Sequence, residues 1–275
     1  MSSVAAPVVP RLEHTGRVTQ LRVILSEWTK LHSLRSTRWS LFAAIVLTIG
    51  LPAIFAAVTS SHWGHMGPRE RADRHPLDIA LAGVNLSQLA IGVLGVLVIT
   101  GEYSTGMIRA SFTAVPKRLP VLWAKIVVFG VVAFLLMLPS VLAAFWASQA
   151  ILSKHDILQT SLSDPGVLRS VVGGAAYAML FGIFCLALGA IVRNTAGGIA
   201  TFVGVFFVIP PLLNVFPVSW QNAINPWIPN SAGRSIFQLT HGPHSLSPAG
   251  GLAIFLAYIA VAVAIAAVLL VRRDT

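Results

Sequence analysis

Hydrophobic positions in this chain gather into six long runs, over 39–60, 79–100, 126–150, 170–192, 196–218 and 249–271, and none of them contains a charged side chain. About 20 helical residues cross a bilayer core of roughly 30 Å, and the runs match that length. Hydrocarbon offers no water to backbone N–H and C=O groups, so a spanning run must close its own hydrogen bonds as a helix. The pattern predicts an all-α, polytopic membrane protein of six transmembrane helices. Pro210, Pro211 and Asn214 interrupt the fifth run, which predicts a kink or a re-entrant end there. Ahead of the first run, Leu21, Ile24, Leu25, Trp28 and Leu31 recur at helical spacing within 18–34, with Arg22, Lys30, Arg35 and Arg38 around them. This reads as an amphipathic helix in the headgroup layer with its cations toward anionic lipid, or as a solvated helix packed on the rest of the protein. The chain therefore divides into a tail with an amphipathic helix, 1–38, and a six-helix membrane domain, 39–275. The first run is too long for the roughly 7–15-residue core of a cleaved signal peptide and reads as a retained anchor.

Composition agrees: 56% of residues are hydrophobic and 10% charged, where a soluble domain carries about 25% charged residues. The net charge of +10 raises nucleic-acid binding, but the 19 Lys and Arg lie scattered over loops and ends, without a basic helix interleaved with aromatics. They instead set topology. Thirteen fall on the side of the tail, the 101–125 segment, Arg193 and the C-terminus, against six on the other. The positive-inside rule places both termini in the cytoplasm of a multi-pass cell-membrane protein.

No catalytic set emerges. All nine acids lie outside the runs, which argues against carboxylate-based ion coupling at membrane depth. No lysine follows a glycine, so a Gly-Lys phosphate loop is absent, as are the His-Glu-x-x-His and Gly-x-Ser-x-Gly signatures. The sequence is thus that of a non-enzyme. His62, His65 and His75 read as a wet loop in preference to a metal site, and no metal is expected. Cys185, the lone cysteine, reads as a buried packing residue. Asn85 and Gln88 share one face of the second run and are candidates for helix-to-helix hydrogen bonds or a wet path. Gly174, Ala178 and Gly182 form a small-residue ridge for close helix contact, within the chain or with a second one.

The most informative segment follows the second run: Gly101, Glu102, Tyr103, Ser104, Thr105, Gly106, Met107, Ile108 and Arg109, then Pro116, Lys117, Arg118 and Lys125. On its own chemistry, Glu102 begins a short helix and the cations hold the inner face near lipid phosphate, or the segment forms a docking surface. With Glu27, Trp28 and Lys30 in the basic amphipathic segment and the six runs, it resembles the permease subunits of ABC-2 type transporters over nearly the whole chain. The resemblance implies an exporter in which the segment from Glu102 is a short cytoplasmic coupling helix seated on a separate ATPase, present in two copies. It also implies a second permease subunit, in a homo- or heterodimer. Glu102, Tyr103, Ser104, Thr105, Gly106, Met107 and Arg109 would couple; Glu27, Trp28, Lys30, Pro116, Arg118 and Lys125 would support them from the inner face. ATP and Mg would sit on the ATPase, with no cofactor in this chain. The stretch 217–248, with Trp220, Trp227 and Arg234, would form short outer-leaflet helices. A stand-alone channel or carrier, and a membrane enzyme or scaffold, are the competing classes.

Overall fold

The computed structural model describes residues 19–72, 74–108, 118–154, 157, 159–239, 242 and 244–272. Among them there are helices and no strands, and six helices are long and apolar enough to cross a membrane. In chain order these residues form α1 (Gln20–Ser33), α2 (Arg35–His62), α3 (Pro68–Ala72), α4 (Pro76–Thr105), α5 (Leu119–Ser153) and α6 (Val167–Val192). The fifth span is composite: α7 (Thr195–Val203), a π-helical stretch (Gly204–Val208) and α8 (Ile209–Leu213). Then come α9 (Val218–Ile224), a 3-10 turn (Asn225–Trp227), α10 (Pro229–Ser235) and α11 (Pro248–Arg272).

Every predicted run has its helix, and all but the fifth extend past their apolar stretch. α5 has 35 residues, about 52 Å at 1.5 Å per residue, so it outlasts the bilayer core. The overrun carries Lys125 in its second turn. Likewise α4 continues unbroken through Gly101–Thr105, so Glu102 ends a long helix where the sequence suggests that it begins a short one. At the fifth span, Pro210 and Pro211 cannot bond the carbonyls four residues before them, and the helix widens to π geometry immediately upstream. The regular helix is thus interrupted where a kink or re-entrant end is expected, and the element ends at Leu213 instead of 218.

α4 and α6 make the most extensive helix pair, flanked by α2 and α5, while α11 packs on α6. Small residues permit this closeness. A Cβ on Gly95 would collide with the carbonyl of Gly182, and one on Gly182 with the Phe129 ring. The ridge of Gly174, Ala178 and Gly182 is fully inside the chain, with Val84, Leu81 and Val141 around Gly174. Its contact is therefore intramolecular. α2 approaches α4 closely at Pro52: proline leaves the Thr48 carbonyl without its intrahelical donor, and a Cβ on Gly83 would collide with that carbonyl. Tyr177, Phe181 and Phe184 of α6 meet Phe202 and Phe206 of the fifth span and Phe255 of α11 in one aromatic cluster, with neighbouring ring centroids 4.7–6.5 Å apart.

Candidate functional site

The polar chemistry of the bundle concentrates where α1, the end of α4 and the start of α5 meet. A glutamate in the last turn of a helix faces the negative end of the macrodipole, so Glu102 needs cations to be stable there. It has them. Lys125 donates to Glu102 Oε1 at 2.7 Å and to Glu27 Oε2 at 2.6 Å. Lys30 donates to Glu27 Oε1 at 2.7 Å and to Glu102 Oε1 at 3.0 Å. The side chains of Lys125 and Glu27 are only 2% and 4% exposed, so water contributes little to their solvation. Burial alone would lower the pKa of Lys30, but the two carboxylates more than offset it and hold the ammonium above its ordinary value. One ion-pair cluster thus joins three helices.

Each partner is delivered by a local rule. Val23, Glu27 and Leu31 recur every four residues and form the buried face of α1, laid along α5. Gln20 Nε2 fixes its start by donating to Pro120 O at 3.0 Å. The stripe expected from the sequence splits: Leu31 is buried, whereas Leu21, Leu25 and Trp28 are 65%, 55% and 48% exposed. α1 is packed on the protein and keeps an apolar strip turned away from it. Gly106, left-handed at φ 72°, ends α4 and bonds back to Tyr103 O at 3.3 Å. Beyond the buried Glu102 the tip of α4 is open: Ser104, Thr105, Gly106 and Met107 are exposed. Arg109, Pro116 and Lys117 lie outside the described residues.

Two arginines complete this end of the bundle. Arg118 donates to Leu270 O at 2.9 Å and Arg193 to Leu269 O at 3.0 Å, placing two cations on the carbonyls of the last turn of α11. Arg193 also lies over the Tyr103 ring, 5.2 Å from its centroid. Lys125, read from the sequence as an inner-face cation near lipid phosphate or within a docking surface, instead meets buried carboxylates, while Arg118 meets a helix end. The role of Arg193 was not legible, since its partner is a backbone carbonyl 76 residues away.

Of the membrane amides, Gln88 accepts a hydrogen bond from the Tyr177 hydroxyl on α6, as expected of helix-to-helix bonding. Asn85 does not follow; its Oδ1 is buried without a hydrogen bond. Tyr177 carried no polar neighbour in sequence to mark it. At the far end, His75 caps α4 by accepting from Leu77 N at 3.3 Å. His62 bonds within its own helix, Nδ1 lying 2.9 Å from Val58 O. Among the described residues no three His, Cys, Asp or Glu side chains gather as metal ligands.

A cavity of about 260 Å³ opens beside the charge cluster, bordered by α1, the first turn of α2, the end of α4 and α5. The chain matches no protein-family model and no curated relative. Chemically, the arrangement is a rigid clamp with an exposed helix tip and a partly apolar recess.

Proposed function

We propose that this chain is the membrane-spanning permease subunit of an ATP-driven exporter of the ABC-2 type. It works as a homo- or heterodimer with a second permease subunit and two copies of a separate ATPase that binds ATP and Mg. Both termini and the tip of α4 are cytoplasmic in this reading, following the thirteen-to-six bias of the cations. The observation that supports it best is mechanical: Glu27, Lys30, Glu102 and Lys125 lock α1, α4 and α5 together directly behind the exposed Ser104–Met107 tip. A push on that tip moves the locked unit as a body, and α4 passes the displacement to α2 and α6, its most extensive neighbours. Docking falls to Ser104, Thr105, Gly106 and Met107, with Tyr103 half-buried behind them, while Glu102 supports them from within.

The test is to purify the chain with the ATPase and measure association and ATP hydrolysis in lipid. Met107→Glu, at an exposed position, is expected to weaken association by at least about tenfold and leave the melting temperature unchanged. Unchanged association and hydrolysis in that variant would remove the docking role of the tip. Solute movement by the isolated chain without ATP would favour a channel or carrier.

A further inference from the structure

The far end of the bundle holds a second cavity, of about 330 Å³, between α9, the 3-10 turn, α10 and the approach to α11. From there α11 runs 25 residues, about 37 Å at 1.5 Å per residue, to the carbonyls that Arg118 and Arg193 cap. The two cavities therefore lie at opposite ends of the molecule. The wall of this one is mostly polar, and none of the described residues on it is acidic. It is also held in place. A Cβ on Gly233 would strike the Tyr177 ring, one on Gly173 the Ile236 carbonyl and one on Gly251 the Ser235 hydroxyl, so α10 and the residues after it are seated tightly on α6 and α11. Arg169 adds hydrogen bonds to Ile236 O at 3.0 Å and Gln238 O at 3.1 Å.

Arg234, half-buried on this fixed helix, borders the cavity unmatched. Its guanidinium makes no hydrogen bond, and Nε is shut away without an acceptor, so only the two Nη atoms are open to a ligand. Asp78 of α4 is near enough to couple to it through charge, but it forms no ion pair with Arg234 and borders a separate cavity. A guanidinium keeps its charge and can only donate, so the group that completes it is an acceptor, and an anion fits best. Amides on the same wall have unused capacity. The side chains of Asn222 and Gln238 make no hydrogen bond. Asn225 accepts from Ser231 Oγ at 3.4 Å and keeps its amino group free.

A planar carboxylate would satisfy the guanidinium fork and leave these amides idle, whereas a phosphate has further oxygens to share. Amides that both donate and accept suit hydroxyl groups beside it. We propose that this cavity binds a hydroxylated phosphate ester of net negative charge, its phosphate on Arg234 and Asn225 and its hydroxyl groups on Asn222 and Gln238. The ester is either free or the head of an anionic lipid. Trp220 and Trp227, 58% and 57% exposed and each next in sequence to a residue of the wall, hold this end of the bundle at interfacial depth, where both sources reach it. The site stands whether or not an ATPase docks at the other end.

The experiment titrates the purified full chain in neutral detergent with two kinds of probe. Glycerol 3-phosphate is followed by equilibrium dialysis; phosphatidylglycerol and phosphatidylcholine of identical acyl chains are followed by native mass spectrometry. Saturable binding of glycerol 3-phosphate identifies a free ester, and a preference of at least about tenfold for phosphatidylglycerol without it identifies a lipid head. Arg234→Gln should weaken whichever binding is seen at least about tenfold, as expected for loss of a charge-assisted contact. Asn222→Asp places an isosteric carboxylate at an exposed position of the wall, and should abolish binding while leaving the melting temperature unchanged. Asn222→Ala, which removes the amide without adding charge, should weaken it only about threefold. No binding of glycerol 3-phosphate together with equal affinity for the two lipids would overturn the site. So would undiminished binding in Asn222→Asp, a variant whose exposed position keeps the test independent of any folding defect in Arg234→Gln.

Discussion

Lys125→Met removes the centre of the clamp while keeping a long, flexible, apolar side chain in its place. Lys125 Nζ lies 2.6 Å from Glu27 and 2.7 Å from Glu102, separations at which each contact is worth about 6 kcal/mol before desolvation at an effective dielectric constant near 20. Most of that is spent in stripping water from the ions, and intact buried pairs contribute far less than their Coulomb energy. Removing one member is different. Glu27 and Glu102 would then face one another across a nearly dry space, with only Lys30 between them, and a loss of about 3–5 kcal/mol is expected. The assay is reversible unfolding in mild detergent, paired with limited trypsin digestion at Arg22, an exposed site on α1. Lys125→Met should unfold earlier and expose α1 to cleavage. The double variant Lys125→Met/Glu27→Gln restores neutrality around Lys30 and Glu102, and should recover about 1.5–3 kcal/mol of the loss. A single variant within about 1 kcal/mol of the native protein, with α1 still protected, would refute the clamp.

Four further outcomes are expected. Gly182→Ala should destabilise strongly because its methyl meets the Phe129 ring and Ile91, whereas Gly174→Ala, whose methyl finds only ordinary contacts of 3.4–3.7 Å, should be nearly neutral in the same unfolding assay. Tyr177→Phe leaves Gln88 Oε1 without its donor and should cost about 1–3 kcal/mol; an unaltered midpoint would mean that the bond contributes nothing. Because the folded state raises the pKa of Lys30 above its ordinary value of 10.5, its contribution is complete below 10.5 and is lost only as pH rises through the higher folded value; trypsin release of α1 should follow that alkaline window and stay flat from neutrality to about pH 9. In a Cys185→Ala background, an impermeant thiol reagent should label a cysteine at Trp227 from outside intact cells and fail to label one at Ser104, the reverse pattern opposing the proposed orientation.

What the sequence determined by itself was set by local composition. Six uncharged apolar runs could become only helices in hydrocarbon, and the paired prolines at 210 and 211 disrupted the fifth wherever it packed. The four-residue spacing of Gly174, Ala178 and Gly182 likewise marked a close contact before its partner was known. The tertiary structure decided which polar groups meet. Glu27, Glu102 and Lys125 lie in three segments separated by up to 98 residues, and nothing in their own neighbourhoods distinguishes a clamp from surface charges. Glu102 and Lys125 fall outside the apolar runs yet lie within α4 and α5, because hydropathy marks where a helix leaves the apolar layer, not where its hydrogen-bonded ladder stops. Arg118 and Arg193 acquired their partners from the backbone of α11, and a carbonyl leaves no trace in a pattern of side chains. Even α1, legible as amphipathic, did not disclose which stripe would be buried, because that depended on where α5 offered Lys125 to Glu27.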